Sequence, residues 1–220
     1  MNITLTFDNG PSDTTGQVLR ALRSAGVTAT FFVVGQKLDA PEGPNLLREV
    51  LAAGHGVGNH TYTHSTPLGL CSPNEGVSEI ERTASAMEAL GVPRGLFRPF
   101  GRGGHLDSKL LSTACVDYLV RERMSCVTWN CVPRDWEQPD RWVETAIQQV
   151  CLVDWAVVVL HDVPNCGSTH VPEFIDRAKS MGAVFTTDFP ESCVAIRHGA
   201  VTPHAAALVT ACDAGRSDEH

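Results

Sequence analysis

Residues 6–11 read Thr-Phe-Asp-Asn-Gly-Pro and overlap the end of a short apolar run, residues 3–7. The run has the length and composition of a buried β-strand, so Asp8 and Asn9 are expected at its carboxyl end. A second polar stretch, His-Thr-Tyr-Thr-His at residues 60–64, follows another short strand-like segment. In a (β/α) barrel the carboxyl ends of the strands carry the active site, so both stretches are candidates for it.

Short apolar runs alternate with longer amphipathic segments along the chain. Strands are predicted at residues 3–7, 29–34, 56–59, 96–98, 126–129, 156–161 and 183–186. Helices are predicted at residues 14–25, 45–53, 76–90, 107–114, 141–150 and 171–180. Repeated strand–helix units imply parallel strands joined by crossover helices. The sequence therefore predicts an α/β fold, a distorted (β/α) barrel with about seven parallel strands.

Composition and charge exclude several classes of function. The 220 residues suit one globular domain, and the net charge of −8 argues against nucleic acid or an anionic membrane as partner. The longest apolar stretches, residues 30–35 and 156–160, are too short to span a bilayer. The first residues lack the basic and apolar regions of a signal peptide, so we expect a cytoplasmic protein. The eight cysteines include no Cys-x-x-Cys pair and are expected to be reduced thiols.

The first two polar stretches have the composition of a single metal site. His60 and His64 are spaced so that both imidazoles fall on one side of a turn, where they can bind one ion. Asp8 can serve as a general base beside that ion. Asn9 stands where a carboxylate would be expected, and its amide oxygen is a neutral and weaker ligand. The alternative is a pair of surface histidines with no ligand.

Three further segments follow in order, namely residues 98–101 (Arg-Pro-Phe-Gly), 134–136 (Arg-Asp-Trp) and 159–162 (Val-Leu-His-Asp). The order and spacing of all five segments resemble the polysaccharide deacetylase family, the NodB-like homology domain of carbohydrate esterase family 4. The resemblance implies a NodB-like barrel with a catalytic domain at residues 1–195. A C-terminal helix or tail would follow at residues 196–220, with a surface helix before a frayed end.

The resemblance implies a role for each matching residue. Asp8 matches the catalytic base, and His161 matches the catalytic acid that protonates the leaving amine. The residues matching the metal ligands are Asn9, His60 and His64. The implied cofactor is a divalent ion, with zinc expected first and cobalt, nickel or manganese compatible with the same ligands.

Other matching residues would support catalysis or bind the substrate. Arg98 matches the residue that orients the base, and Asp135 matches the residue that holds this arginine; an ordinary buried ion pair is the alternative. The residues matching the substrate site are Phe100, Gly101, Trp136 and Leu160. The backbone N–H of Phe100 would stabilise the oxyanion, while Trp136 and Leu160 would line the acyl pocket. A core position is the alternative for Trp136.

Three departures from the family pattern bear on the site. Asn9 replaces an aspartate, which should weaken zinc binding. Residues 98–101 are one residue shorter than the usual segment and carry Phe100 in place of a tyrosine. Val132 stands where an acidic residue is often found, which could reshape the groove.

These features predict a metal-dependent hydrolase that removes an N-linked acyl group, acetyl first, from an amino sugar, an oligosaccharide or a similar amide. Its partner would be a small-molecule or oligosaccharide substrate, with no nucleic acid and no membrane; the sequence makes no prediction of oligomeric state. One alternative is a metal-independent hydrolase of a cyclic amide, which Asn9 makes plausible. The other is a carbohydrate-binding pseudoenzyme without catalytic activity.

Overall fold

The computed structural model of the protein describes residues 1–210. Its parallel strands are β1 Asn2–Asp8, β2 Thr30–Val33, β3 Gly56–Asn59, β4 Leu96–Phe97, β5 Ser125–Val127, β6 Trp155–His161 and β7 Val184–Thr186. Two further strands are β8 Val194–Arg197 and β9 Ala200–Val201. The helices are α1 Thr15–Ala25, α2 Gly43–Ala52, α3 Pro73–Glu88, α4 Thr113–Arg121, α5 Trp142–Val150 and α6 Val171–Ser180.

The sheet is built around β1, which pairs in parallel with β6, β2 and β7. Strands β2 to β5 follow in chain order, all parallel, and β8 and β9 continue from β5 in antiparallel pairing. A parallel bridge between Cys131 and Val158 joins the segment after β5 to β6, so the sheet curls back onto itself. The predicted distorted (β/α) barrel with about seven parallel strands is confirmed.

Side-chain alternation along the strands separates two buried regions. Ile3, Leu5 and Phe7 of β1 belong to a core cluster with apolar residues of α1, α5 and α6. The alternate residues Thr4 and Thr6 are also fully buried, and they lie on the opposite face of the strand, inside the barrel. Side chains along β1 therefore have two surroundings. One set packs in the apolar layer under the outer helices, and the other lies in the barrel interior, which also contains polar side chains.

Two predicted segments differ from the structure. The helix predicted at residues 107–114 is wrong; α4 instead begins at Thr113, because the Ser112 side chain caps it by accepting a hydrogen bond from the Cys115 N–H at 3.3 Å. The surface helix expected after residue 199 is replaced by β9 and a 3₁₀ turn, Pro203–Ala207, and Leu208 beyond the turn is buried.

Strand β8 spans residue 195, and the division of the chain there stays a prediction. The frayed end predicted for the C-terminus falls on residues 211–220, which lie outside the described part of the chain. Among residues 1–210, no helix combines the length and apolarity that a membrane span requires. The cysteines in this range form no disulfide.

Candidate active site

A cavity of about 310 Å³ lies where the parallel strands end. Its walls come from the segments that follow β1, β3, β4, β5 and β6. Predicted site residues that line it are Asp8, Asn9, His60, His64, Phe100, Gly101, Trp136 and His161. The fold therefore places these eight predicted site residues around one cavity. Arg98, Asp135 and Leu160 do not line the cavity, and each is described below.

Arg98 is fully buried directly behind Asp8. Its guanidinium donates to Asp8 Oδ1 at 2.9 Å, to Thr6 Oγ1 at 2.7 Å and to the Thr128 carbonyl oxygen at 3.2 Å. The ring of Phe32 lies 4.0 Å from the guanidinium carbon. Burial lowers the pKa of Arg98, and the charge of Asp8 opposes this effect. The pair fixes one carboxylate oxygen of Asp8 and leaves Oδ2 on the side of the His60 imidazole, whose Nε2 is 3.7 Å away.

The two histidines of residues 60–64 present neutral imidazoles to the cavity. Their ring centroids are 4.8 Å apart, as the expected turn requires. Burial lowers the pKa of His60 to about 3 and that of His64 to about 3. His60 Nδ1 donates to the Arg98 carbonyl oxygen at 2.9 Å, which leaves Nε2 with its lone pair facing the site. Both rings are thus in the protonation state that metal ligation needs.

Asn9 contributes a buried oxygen that has no partner. Its backbone φ of 72° lies in the left-handed region, which asparagine tolerates better than most residues. Its Oδ1 is buried and accepts no hydrogen bond within residues 1–210. Leaving such a group unsatisfied costs about 1–3 kcal/mol. A cation beside the two imidazoles would satisfy it, so this amide and the imidazoles fit a divalent ion.

Asp135 holds His161, which corrects the predicted contact between Asp135 and Arg98. Its Oδ1 accepts from His161 Nδ1 and its Oδ2 from the His161 backbone N–H, both at 2.8 Å. Asp135 follows β5 beside β6, whereas Arg98 follows β4 and its guanidinium reaches across the interior to β1. The two side chains therefore serve different partners.

The pKa of His161 is set by two opposing effects. Burial lowers it, but the hydrogen bond and charge of Asp135, together with the charges of Asp8 and Asp162, raise it above its ordinary value. Trp136 packs its ring edge-on to the imidazole, with centroids 5.0 Å apart. Because Nδ1 is engaged by Asp135, Nε2 is the nitrogen left for the cavity, and the raised pKa of His161 favours the protonated imidazole.

Leu160 does not line the cavity, and the prediction of an acyl-pocket role for it is wrong. It belongs to the core cluster between the sheet and the outer helices. Its neighbours Val159 and His161 face the cavity instead, as the alternation of side chains along β6 requires.

Residues outside the predicted set of site residues complete the wall. They are Gly103, Gly104, Trp129, Val163 and Cys166, together with Val132, which was noted only as a departure. The Trp129 indole N–H donates to the Gly104 carbonyl oxygen at 3.0 Å. A Cβ at Gly101 would lie 2.6 Å from the Trp129 ring, so this close approach needs glycine. Only the glycine-rich composition of residues 101–104 hinted at this packing.

Asp162 fastens the loop after Asn9 to β6. Its Oδ2 accepts from Thr15 Oγ1 at 2.5 Å, and its carbonyl oxygen accepts from Ser12 Oγ at 2.5 Å. A Cβ at Gly10 would lie 2.2 Å from the same carboxylate. Burial raises the pKa of Asp162 to about 6, although the Thr15 hydrogen bond opposes this. The residue thus supports the loop that carries Asn9.

A second group, Asp135, His161 and Cys166, also has metal-ligand chemistry, with ligand atoms within 4.8 Å of one another. Both oxygens of Asp135 already accept hydrogen bonds from His161. Burial raises the pKa of the Cys166 thiol to about 12, which disfavours the thiolate. A metal here would have to displace those hydrogen bonds, so Asn9 with the two neutral imidazoles fits an ion better. Cys131 lies in the core and not at the cavity.

Comparison with known proteins places the chain in a family. The sequence model of a family described as polysaccharide deacetylase matches residues 1–114. A chitooligosaccharide deacetylase of Rhizobium leguminosarum bv. trifolii is 35% identical over 177 residues, which cover 76% of this chain and 77% of that protein. The chain belongs to the polysaccharide deacetylase family. The predicted resemblance is confirmed, and this family member is a hydrolase acting on carbon–nitrogen bonds other than peptide bonds.

Solved structures of similar proteins share the fold. A family 4 carbohydrate esterase from Streptomyces lividans in complex with acetate has a TM-score of 0.72 and 29% identity, covering 89% of this chain and 97% of that chain. A family 4 acetyl xylan esterase from Clostridium thermocellum in complex with a cobalt ion has a TM-score of 0.70 and 26% identity, covering 84% and 87% of the two chains.

Proposed function

We propose that this family member is a metal-dependent deacetylase that removes an N-linked acyl group, acetyl first, from an amino sugar or its oligosaccharide. One observation carries the proposal: the buried Oδ1 of Asn9, which has no hydrogen-bond partner among residues 1–210, belongs to a residue that borders a cavity with Asp8, two neutral imidazoles and His161. Similarity to a chitooligosaccharide deacetylase supports the substrate class. The cobalt ion in the acetyl xylan esterase structure supports a metal cofactor.

Asn9, His60 and His64 would hold the ion, with zinc as the first candidate and cobalt, nickel or manganese as alternatives. Once bound, a divalent ion would polarise the acyl carbonyl and lower the pKa of water. The neutral amide of Asn9 adds no charge to the ligand set, so affinity should be lower than with a carboxylate at this position.

Asp8 would act as the general base and remove a proton from the attacking water. Its Oδ1 accepts a hydrogen bond from the Arg98 guanidinium, which fixes the orientation of the carboxylate. Its Oδ2 is left to take the proton. Arg98 is therefore a positioning residue that acts through Asp8.

The tetrahedral oxyanion would be stabilised by the backbone N–H of Phe100, which borders the cavity. Gly101 follows it in the wall, and its missing Cβ leaves room for Trp129 behind it. The Phe100 ring lies against His64, with centroids 4.0 Å apart, and this contact ties the oxyanion donor to the histidine turn.

His161 would act as the general acid and protonate the leaving amine through Nε2. Asp135 orients the ring and favours its protonated form, since its hydrogen bond and charge raise the pKa of His161. Trp136 forms the wall beside the imidazole and would contact the acyl group. A cytoplasmic location and the absence of nucleic-acid and membrane partners stay predictions.

The test is acetate release from N-acetylglucosamine oligomers by purified protein, with chelator and after zinc is restored. The proposal expects release that chelator abolishes and zinc restores. It also expects Asp8→Asn to lower kcat by about 10²–10⁴-fold. Release that survives chelation would support the metal-independent amide hydrolase instead. Oligomer binding without any release, even with zinc, would support the pseudoenzyme.

A further inference from the structure

Glu79, on α3, holds the backbone of the turn between the two histidines. Its Oε2 accepts hydrogen bonds from the N–H groups of Tyr62 at 3.0 Å and Thr63 at 2.8 Å. Its Oε1 accepts from Thr63 Oγ1 at 3.0 Å. One carboxylate thus binds the middle of residues 60–64 at three points. Hydrogen bonds that a carboxylate accepts are stronger than those between neutral groups.

The turn needs such support because its backbone is unfavourable. Thr61 and His64 have φ angles of 67° and 53°, in the left-handed region that non-glycine residues rarely adopt. Residues in sparsely populated backbone regions are destabilising and persist when surrounding contacts hold them. The same turn carries both candidate metal ligands, so their separation depends on this conformation.

Helix α3, which carries Glu79, is itself held in place by a capping box, a buried face and contacts to the neighbouring segments. A capping box between Ser72 and Glu75 starts the helix, and its inner face, which includes Ile80, is buried. Asn59 adds a second connection, since its Nδ2 donates to the Ile80 carbonyl oxygen at 2.8 Å and its Oδ1 accepts from the Thr61 N–H at 2.9 Å. The guanidinium of Arg82 also lies 3.5 Å from the centroid of the Tyr62 ring.

We infer that Glu79 is a positioning residue for the metal site, setting the separation and direction of the His60 and His64 imidazoles from outside the cavity. The inference rests on the proposed function, because it concerns affinity for the ion that these histidines would hold. Glu79 does not line the cavity, so it would act only through the turn. Contacts that orient metal ligands typically change affinity about 10–100-fold when lost.

The experiment measures the zinc Kd of metal-free protein by competition with a chromophoric chelator. We expect Glu79→Ala to raise Kd about 10–100-fold. Glu79→Gln should recover much of this loss, because its amide oxygen can accept from both backbone N–H groups while its nitrogen donates to Thr63 Oγ1. Glu81→Ala, an exposed carboxylate on the same helix, is the matched control and should leave Kd unchanged.

The thermal midpoint of each metal-free variant separates positioning from general stability. A folded Glu79→Ala variant with the parent's Kd would overturn the inference alone. If that variant does not fold, Glu79→Asp decides, because a carboxylate one methylene shorter cannot reach all three donors; weaker zinc binding is expected, and an unchanged Kd would overturn the inference. A parent protein that binds no zinc would overturn the proposed function itself, and this inference with it.

Discussion

Both carboxylate oxygens of Asp135 accept hydrogen bonds from one residue, His161, through ring Nδ1 and the backbone N–H at 2.8 Å each. Two bonds to the same residue fix both the position of the backbone and the plane of the ring. Asp135 therefore sets the direction of the second ring nitrogen, Nε2. This relationship is what makes a buried imidazole suitable as an acid.

Asp135→Asn should shift the pH dependence of the reaction. Asp135 raises the pKa of His161 against the effect of burial, so removing its charge lowers that pKa. The acid must be protonated, and activity is lost as pH rises through its pKa. The alkaline limb of kcat/KM should therefore move to lower pH. A profile that superimposes on the parent's would contradict the acid role of His161.

The same pKa shift has a consequence for stability. Because the pKa of His161 is raised in the folded state, the stabilisation it provides is fully present below the ordinary histidine value. It is lost as pH rises through the higher folded value. Urea unfolding of the parent and Asp135→Asn at several pH values should show this decline in the parent and a smaller one in the variant.

Asn9→Asp should tighten zinc binding, because a carboxylate adds charge to the ligand set. We expect Kd to fall by about 10–100-fold in chelator competition. Asn9→Gly is the opposite control, since glycine tolerates the φ of 72° and the substitution removes the whole carboxamide side chain; its Kd should rise. Equal affinities across parent and both variants would show that residue 9 does not touch the ion.

Arg98→Met should destabilise the fold strongly. Removing one partner of a buried ion pair leaves Asp8 uncompensated, at a cost of about 3–5 kcal/mol in the free energy of unfolding. Arg197→Met, which removes an exposed pair with Glu191, should cost only about 0–1 kcal/mol. Adding Asp8→Asn to Arg98→Met should recover part of the loss. Full stability of Arg98→Met in urea would contradict the importance of this pair.

Leu160→Ala should act mainly on stability, and Trp136→Ala mainly on KM. Leu160 is a core residue, so its truncation should lower the free energy of unfolding by about 2–5 kcal/mol with KM unchanged. Trp136 is half-buried in the cavity wall, so its truncation should raise KM at a smaller cost in stability. Unfolding in urea and kinetics on N-acetylglucosamine oligomers measure both. A raised KM for Leu160→Ala would return it to the acyl pocket.

The strand–helix alternation and the order of polar segments were enough to predict the barrel and the meeting of Asp8, Asn9 and the histidines. The partner of Asp135 could not be predicted, because a sequence does not show whether a carboxylate faces Arg98 or His161. The acyl-pocket role of Leu160 was predicted wrongly for a different reason. Strand β6 is apolar on both faces, as buried parallel strands are, so its composition conceals which residues face inward.

The position of α4 depended on a local contact. Asp107 and Ser112 are both plausible N-cap residues, and the structure uses Ser112. Glu79 contacts the turn at residues 60–64 from a helix, and it lies 16 positions after Thr63 in the sequence. Neither the use of Ser112 as the N-cap nor the contact of Glu79 with the turn has a distinct pattern in the sequence.

Zinc K-edge X-ray absorption of protein loaded with one equivalent of zinc tests the central claim most directly. The account predicts nitrogen and oxygen scatterers at about 2.0–2.2 Å, with the outer-shell pattern of two imidazoles from His60 and His64. A sulfur scatterer at about 2.3 Å would place the ion at Cys166, beside Asp135 and His161, and would contradict the assignment of Asn9 and the histidine pair as the metal site.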